Sequence, residues 1–413
     1  MKVILFAIPI FFLLIGIEVF IARLHEKKLY RFNDAISNIS CGISQQVIGI
    51  FIKTITLGGY VYCYQFSPFR IPNTWWTYLL LFFAIDFLYY WFHRYAHEIS
   101  FFWGTHVVHH QSEDYNLSVA LRQSAFQSLI SGLFYLPLAI IGFDPIPFLL
   151  MNTIQTLYQF WIHTETIDKM PAWFEYLFNT PSHHRVHHGR NPKYIDKNHG
   201  GTFILFDRWF GTFQAEEEAV VYGVTKSLST WNPIWANFDY YNDLRKEFGR
   251  TKGLKDKIRL LLKKPGWRSE AAGGPLYPPP IQPNDPIKYH TIIPNGLSIY
   301  IFVQYIFLLL GTSLFLATLS IDKHSFLIPI LMGIILILWS VASFGLAADK
   351  RKLGFQLEIS RLLLLPIALF ILLNLSTTNP IISTNILYFT IGISFLNLFS
   401  ISYFWRFRNI LNQ

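Results

Sequence analysis

Apolar stretches long enough to cross a bilayer recur along this chain, and they restrict its fold more than any other feature. Val3–Ala22 gives about 20 nearly unbroken apolar residues, interrupted only by Glu18. Trp75–Phe92 is a second clear span, with Trp75, Trp76, Tyr89, Tyr90 and Trp91 placed as interfacial aromatics. Between them Ile43–Tyr64 is less clean and holds Gln45, Gln46 and Lys53. Leu117–Gly142 and Pro147–Ile162 flank Asp144-Pro145 and read as a helical hairpin. Pro294–Leu319, Phe326–Leu346, Leu362–Leu375 and Ile381–Trp405 follow near the end. The chain is 52% hydrophobic and 14% charged, against about 25% charged in a soluble domain. The expected fold is all-α: a multi-pass integral membrane protein with a polar cap.

The first stretch is longer than the apolar core of a signal peptide, and a basic flank follows it in place of a cleavage site. That flank, Arg23, Lys27, Lys28 and Arg31, belongs in the cytoplasm by the positive-inside rule. The same rule accounts for the net charge of +9. No basic helix or reader motif points to nucleic acid. Glu165–His290 carries 18 of the 34 Lys and Arg and no span, so it is expected to form the cytoplasmic cap. The proline-rich LYPPPIQPNDP at 276–286 ends it. The expected division is 1–290, transmembrane and catalytic, and 291–413, a four-helix membrane module without metal chemistry.

The chemistry lies in the histidines. HRYAH spans His93–His97, HVVHH spans His106–His110 and HHRVHH spans His183–His188. His93 and His97 are four apart; His106, His109, His110 and His184, His187, His188 stand at i, i+3, i+4. On a helix such positions share one face, so each motif is expected to aim its imidazoles in one direction. The first motif begins where a span leaves the bilayer. Asp86, two turns before His93 and inside the span, is positioned to orient it or to pair with an arginine. His163, at the end of the hairpin in WIHTE, is a ninth candidate ligand or a helix-end residue. Cys41 and Cys63 form no CxxC, so a metal here is held by nitrogen and oxygen. Nine imidazoles exceed one ion and fit two, each with an open position. Spacing alone does not choose among Zn, Fe, Cu and Ni. A redox metal would act on an unactivated C–H bond of a lipid with O2; a zinc pair would suit hydrolysis. A metal transporter is a further alternative, although its ligands belong at mid-membrane depth.

HRYAHE, WGTHVVHHQSEDYNLSVALRQS, WIHTE, NTPSHHRVHHGRNPKYIDKNHGG, FGTFQAEEE and VVYGVTK resemble the fatty acid hydroxylase and sterol desaturase superfamily of membrane di-iron enzymes. Within it they are most similar to the alkylglycerol monooxygenase family, as are KPGW at 264–267 and ADKR at 348–351. The resemblance implies two Fe ions and O2-dependent hydroxylation of the carbon next to the ether oxygen of a 1-O-alkylglycerol. Fatty aldehyde and a glycerol derivative are the products. Reduced tetrahydrobiopterin or an electron-donor protein would supply electrons, and the basic cap would suit an acidic partner. A sterol or fatty acyl lipid is the alternative substrate. By position His93, His97, His106, His109, His110, His163, His184, His187 and His188 would be iron ligands. His183 would be a ligand or a supporting donor. Glu98, after the first motif, would hold an imidazole N–H or order a water. Asp114 and Asn116 would accept imidazole N–H groups, or cap and turn the chain. Tyr115 would line the substrate entrance. His199 stands where Tyr is expected, which leaves it as an extra ligand, a proton donor or neither. Glu216–Glu218 reads as a solvated acidic turn.

Overall fold

The computed structural model of the chain describes residues 2–281, 288–321, 327–375 and 380–411. The regular structure among these residues is helical, with no strand and two isolated bridges, Phe178–Phe203 and Gly189–Tyr222. Among the described residues seven helices are long and apolar enough to cross a membrane. In hydrocarbon every backbone polar group must be paired within its own segment, which the helix achieves. The protein is a multi-pass membrane protein of helices.

Contacts divide the chain into two compact units. The larger comprises Ala7–Leu228 and Ala236–Tyr289 and contains every histidine of the three motifs. It takes in α1 (Lys2–Leu24) from Ala7 onward, then α2 (Phe32–Gln65) and α3 (Trp75–Glu98). Thr74 starts α3 with a capping box, its hydroxyl accepting from the Thr77 N–H. Ile99 breaks from helical geometry, and α4 (Ser100–His110) sets off in a new direction carrying the second motif. The hairpin follows as α5 (Gln127–Ile141) and α6 (Pro145–Trp161). Asp144 caps α6 by accepting from the Ile146 N–H at 2.8 Å, with Pro145 at the first helical position. Tyr60, Leu81, Ile85, Tyr135, Leu138 and Phe148 form the apolar core between α2, α3, α5 and α6.

The first hairpin arm is shorter than its apolar sequence. Leu117–Phe126 is not α-helical and holds one 3-10 turn, Val119–Leu121. The Arg122 guanidinium, buried here, donates to the Val108 carbonyl at 2.7 Å, to Ser37 and Asn38 at 3.1 Å and to Gln111 at 2.9 Å. A buried guanidinium needs these partners, and a continuous helix would not offer them. The cap is built from short helices: α7 (Ala172–Leu177), α8 (Pro181–His187), α9 (Leu205–Phe210), then Asp239–Arg250 and Leu254–Leu262.

The other unit comprises Met1–Phe6, Ser229–Trp235 and His290–Gln413, with four long helices: Asn295–Ile321, Leu327–Ala348, Lys352–Leu375 and Pro380–Phe404. Its interior holds a buried ion pair. Arg361 donates to Glu358 at 2.6 and 2.8 Å, and the Ser343 hydroxyl at 2.7 Å and the Tyr300 hydroxyl also donate to Glu358. Gln304 accepts from Arg361 at 2.9 Å, so three helices share one polar network. Such a network fixes register at little net gain in stability. None of the motif histidines lies in this unit. A chain ending before Pro294 is therefore expected to keep its bound metal. Metal analysis of the purified truncation checks this, and metal loss would make the tail part of the catalytic core.

Candidate metal centre

Nine histidines converge in the larger unit as two groups. His93, His97, His106, His110 and His187 form one; His109, His163, His184 and His188 form the other. Within each group the ligand nitrogens lie within 4.8 Å of one another, and all nine side chains are buried.

The motifs do not each serve one group, as their spacing suggests. α4 gives His106 and His110 to the first group and His109 to the second. The turn of α8 gives His184 and His188 to the second and His187 to the first. Successive residues on a helix are rotated by about 100°, so i+4 lies about 40° to one side of i and i+3 about 60° to the other, and the two can turn to different ions. An HxxHH helix lying between two ions thus feeds both, and two such helices exchange their middle histidine.

The far side of several rings is held. His93 Nδ1 donates to the His199 carbonyl at 2.8 Å, His109 Nδ1 to Arg122 at 2.9 Å, His163 Nδ1 to Gln159 at 2.8 Å and His187 Nδ1 to Lys197 at 2.9 Å. His106 Nδ1 stands 2.9 Å from Gln127 Oε1. Carbonyls only accept, so these rings carry their proton on Nδ1 and present a bare Nε2.

Those bare nitrogens face each other. His109 Nε2 lies 3.2 Å from His163 Nε2 and 3.1 Å from His188 Nε2, and His184 Nε2 lies 3.0 Å from His163 Nε2. In the other group His106 Nε2 lies 2.9 Å from His93 Nε2 and 3.2 Å from His110 Nε2. His97 Nε2 and His187 Nε2 are buried without a hydrogen-bond partner. Between His109 and His163 no proton is available, and two lone pairs at that distance repel. A shared cation turns the repulsion into attraction and satisfies the orphaned atoms. The residues fit a metal at each group.

Burial keeps the imidazoles uncharged. It pushes His106 and His163 down to about 4 and His187 to about 3. Burial and then the neighbouring imidazoles hold His109, His110, His184 and His188 well below the usual range. Neutral imidazole is the metal-binding form.

The other sequence-predicted residues lie around this centre. Asp86 does not touch His93. It accepts from Thr202 N at 2.7 Å, Phe203 N at 2.8 Å and Gln155 at 3.0 Å. Gly201 permits this approach, because a Cβ there would stand 2.6 Å from Asp86 Oδ1. His199, two residues earlier, offers its carbonyl to His93. Its own ring lies 5.1 Å from that of His97, belongs to neither group, and has both nitrogens buried without a partner. His183 also belongs to neither group; its Nδ1 faces the Thr180 hydroxyl at 3.3 Å.

Tyr115 donates to the Ile162 carbonyl at 3.0 Å and stacks on Tyr222, its ring 5.2 Å from that of His188. It is a buried wall of the second group. Glu98 pairs with Arg94 at 3.4 Å and Lys264 at 3.7 Å. Lys264 also pairs with Asp196, which stands 3.8 Å from His97 Nδ1. Asp114 pairs with Arg31 and Lys288, both at 2.7 Å. Asn116 donates to the Leu29 carbonyl at 2.7 Å and accepts from Ser118 N at 3.0 Å. Neither Asp114 nor Asn116 is hydrogen-bonded to an imidazole. Glu216 is not simply solvated: it takes a bidentate pair from Arg185 at 2.8 and 2.7 Å. Arg185 sits inside HHRVHH and also donates to the Thr164, Ile167 and Asp168 carbonyls. An arginine within a ligand motif, with acids downstream, was the available signal.

Glu18, in the sequence only a break in the first apolar stretch, supports the second histidine group. Inside α1, it is buried and accepts from the Leu117 N–H at 2.8 Å and from the Tyr30 and Thr164 hydroxyls. Thr164 follows His163, so Glu18 ties the first span to the second histidine group. Glu18→Leu is expected to cost about 2–4 kcal/mol, because it leaves buried donors unpaired. It should also weaken metal binding at that group roughly 10–100-fold, as loss of a supporting contact does. Chelator competition on the purified variant measures this.

Residues 78–212, which hold all nine histidines, match the family model for fatty acid hydroxylase. The chain is thus a membrane oxidoreductase, and its two buried histidine clusters suggest iron binding. Over 87% of its length it is 36% identical to the alkylglycerol monooxygenases of Homo sapiens and Danio rerio, covering 80% of each. To that of Caenorhabditis elegans it is 38% identical over 59% of its length, covering 50% of the relative. The chain belongs to the alkylglycerol monooxygenase family. No solved structure matches it.

Proposed function

We propose that this chain is a di-iron monooxygenase that cleaves the ether bond of 1-O-alkylglycerols. The observation that carries the reading is the pair of buried all-imidazole groups in a chain similar to alkylglycerol monooxygenases over most of its length. His93, His97, His106, His110 and His187 hold one iron; His109, His163, His184 and His188 hold the other. Bound iron supplies the oxidising chemistry of O2 toward a C–H bond.

The carbon next to the ether oxygen gains a hydroxyl, and one O2, two electrons and two protons yield that hydroxyl and a water. The hemiacetal then splits to fatty aldehyde and glycerol. The chain's own residues hold the imidazoles neutral and oriented through the carbonyls of Arg122, Gln159, Lys197 and His199. They also enclose the centre against bulk water, which protects an oxidising site from side reactions. Electrons come from a reduced pterin or from an electron-donor protein. The basic flank after α1 supports a cap on the cytoplasmic side.

Membranes containing the protein, given a labelled 1-O-alkylglycerol, O2 and a reduced pterin, are expected to release labelled fatty aldehyde. Membranes with His188→Ala are not. Iron-loaded protein that yields no aldehyde but oxidises a sterol or acyl lipid would move the substrate assignment. Zinc content without O2-dependent turnover would overturn the monooxygenase reading.

A further inference from the structure

We propose that a recess between α7 and α9 is a binding site for the phosphate of a bilayer phospholipid, separate from the metal centre. The proposal stands or falls independently of the alkylglycerol reading.

The recess has a volume of about 200 Å³, and its wall includes Lys169, Tyr176, Ser182, His183, Arg208 and Phe213. Its two cations, Lys169 and Arg208, form no ion pair with the carboxylates beside them. Of the two carboxylates on the wall, Glu216 is committed to Arg185. Glu175 accepts from the Met170 N–H at 3.0 Å and the Thr180 hydroxyl at 3.2 Å. Arg208 donates to the carbonyls of Tyr176 and Glu175, both at 3.2 Å, rather than to a carboxylate. Its guanidinium is stacked 3.8 Å over the Phe213 ring and 4.9 Å over Tyr176, which fixes its plane. Lys169, exposed at the rim, is the second cation. Two cations without carboxylate partners around one recess call for an anion. A planar, pre-oriented guanidinium is suited to phosphate.

The surroundings say which phosphate. Trp173 on α7 and Trp209 on α9 are 66% and 60% exposed, and Tyr176 and Phe210 beside them are also exposed. This aromatic face continues the span α3: Trp209 lies 6.4 Å from Phe83 and Phe210 lies 4.9 Å from Trp91. A bilayer that surrounds α3 covers the same face. Trp and Tyr at a membrane boundary mark the headgroup level, where the phosphates of the leaflet lie. Acyl chains would run along the aromatic face while the phosphate enters the recess. A lipid held there clamps the cap to the membrane one residue from His184.

The test uses the full-length protein in nanodiscs of phosphatidylcholine containing a minor share of phosphatidylglycerol, with retained lipid read by native mass spectrometry. Retained phosphatidylglycerol is expected. Lys169→Ala should weaken retention roughly fivefold, the effect of one cation beside an anionic headgroup, and Lys169→Glu should weaken it further. Metal content should not change. Lys169 is exposed, so neither change threatens folding; Arg208 also ties α7 to α9 and is left intact. Replacing Trp173 and Trp209 together by Ala should weaken retention by a separate route. Retention indifferent to all of these variants would overturn the proposal. So would inorganic phosphate that displaces the lipid as readily as added phosphatidylglycerol does, because the recess would then read a free anion.

Discussion

His109→Ala is expected to lower turnover by at least roughly a thousandfold, as removal of one member of a catalytic unit does, while the protein remains inserted in the membrane. His109 is the hub of the four-histidine group, with its Nε2 within 3.2 Å of both His163 Nε2 and His188 Nε2. Removing it leaves three imidazoles at a site that four surround. The first group, with His106 at its own hub, is untouched. The variant should therefore lose metal from one group and keep it at the other. Adding His163→Ala to His109→Ala should cost no further metal, because both residues serve the same ion. Adding His106→Ala should strip the five-histidine group as well. Iron per chain, measured for the single and the two doubles, checks the division. Equal metal loss in both doubles would mean that the nine histidines act as one site. The scaffold survives because its helices are packed through Tyr60, Leu81, Ile85 and Phe148 rather than through the metal.

The ligand motifs were legible because imidazoles at i, i+3 and i+4 are rare and local. Their division was not. Whether His109 belongs with His106 or with His163 depends on where α8 sits against α4, and that is set by contacts distant in sequence. The same limit applies to the supporting groups. Glu18 and Asp86 both read as acids inside apolar spans, and such residues are functional candidates by default. The sequence does not say what either one binds. Asp86 is two turns before His93 on one helix face, yet it reaches a loop 116 residues away in the chain. Leu117–Phe126 is apolar enough for a helix, but the Arg122 guanidinium requires partners on α2 and α4 and breaks it. Asp114 and Asn116 follow a ligand motif, and proximity in sequence suggested imidazole contacts. Arg31 and Lys288 take Asp114 instead, since a buried carboxylate pairs with the nearest cations.

Asp86→Ala is expected to show how far the first histidine group depends on that distant loop. Asp86 receives the backbone N–H groups of Thr202 and Phe203, which have no helix or sheet to pair them. Gly201 lets α3 and the loop close to hydrogen-bond distance. The loop's His199 carbonyl in turn accepts from His93 Nδ1 and fixes which nitrogen His93 presents. Removing the carboxyl group leaves two buried backbone donors unpaired, a cost of about 4 kcal/mol at roughly 2 kcal/mol each. Gln155 loses an acceptor too, but its side chain can turn. With the loop released, His93 is free to change tautomer, and metal affinity at the five-histidine group should fall roughly 10–100-fold. The four-histidine group, held through Arg122, Gln159 and Glu18, should keep its ion. Asp86→Asn retains one acceptor oxygen and should lose about half as much stability. Thermal unfolding of both variants, with iron counted per chain, measures both effects. A stable Asp86→Ala protein with full iron would show that the loop is held without Asp86, and that His93 is oriented by the cluster itself.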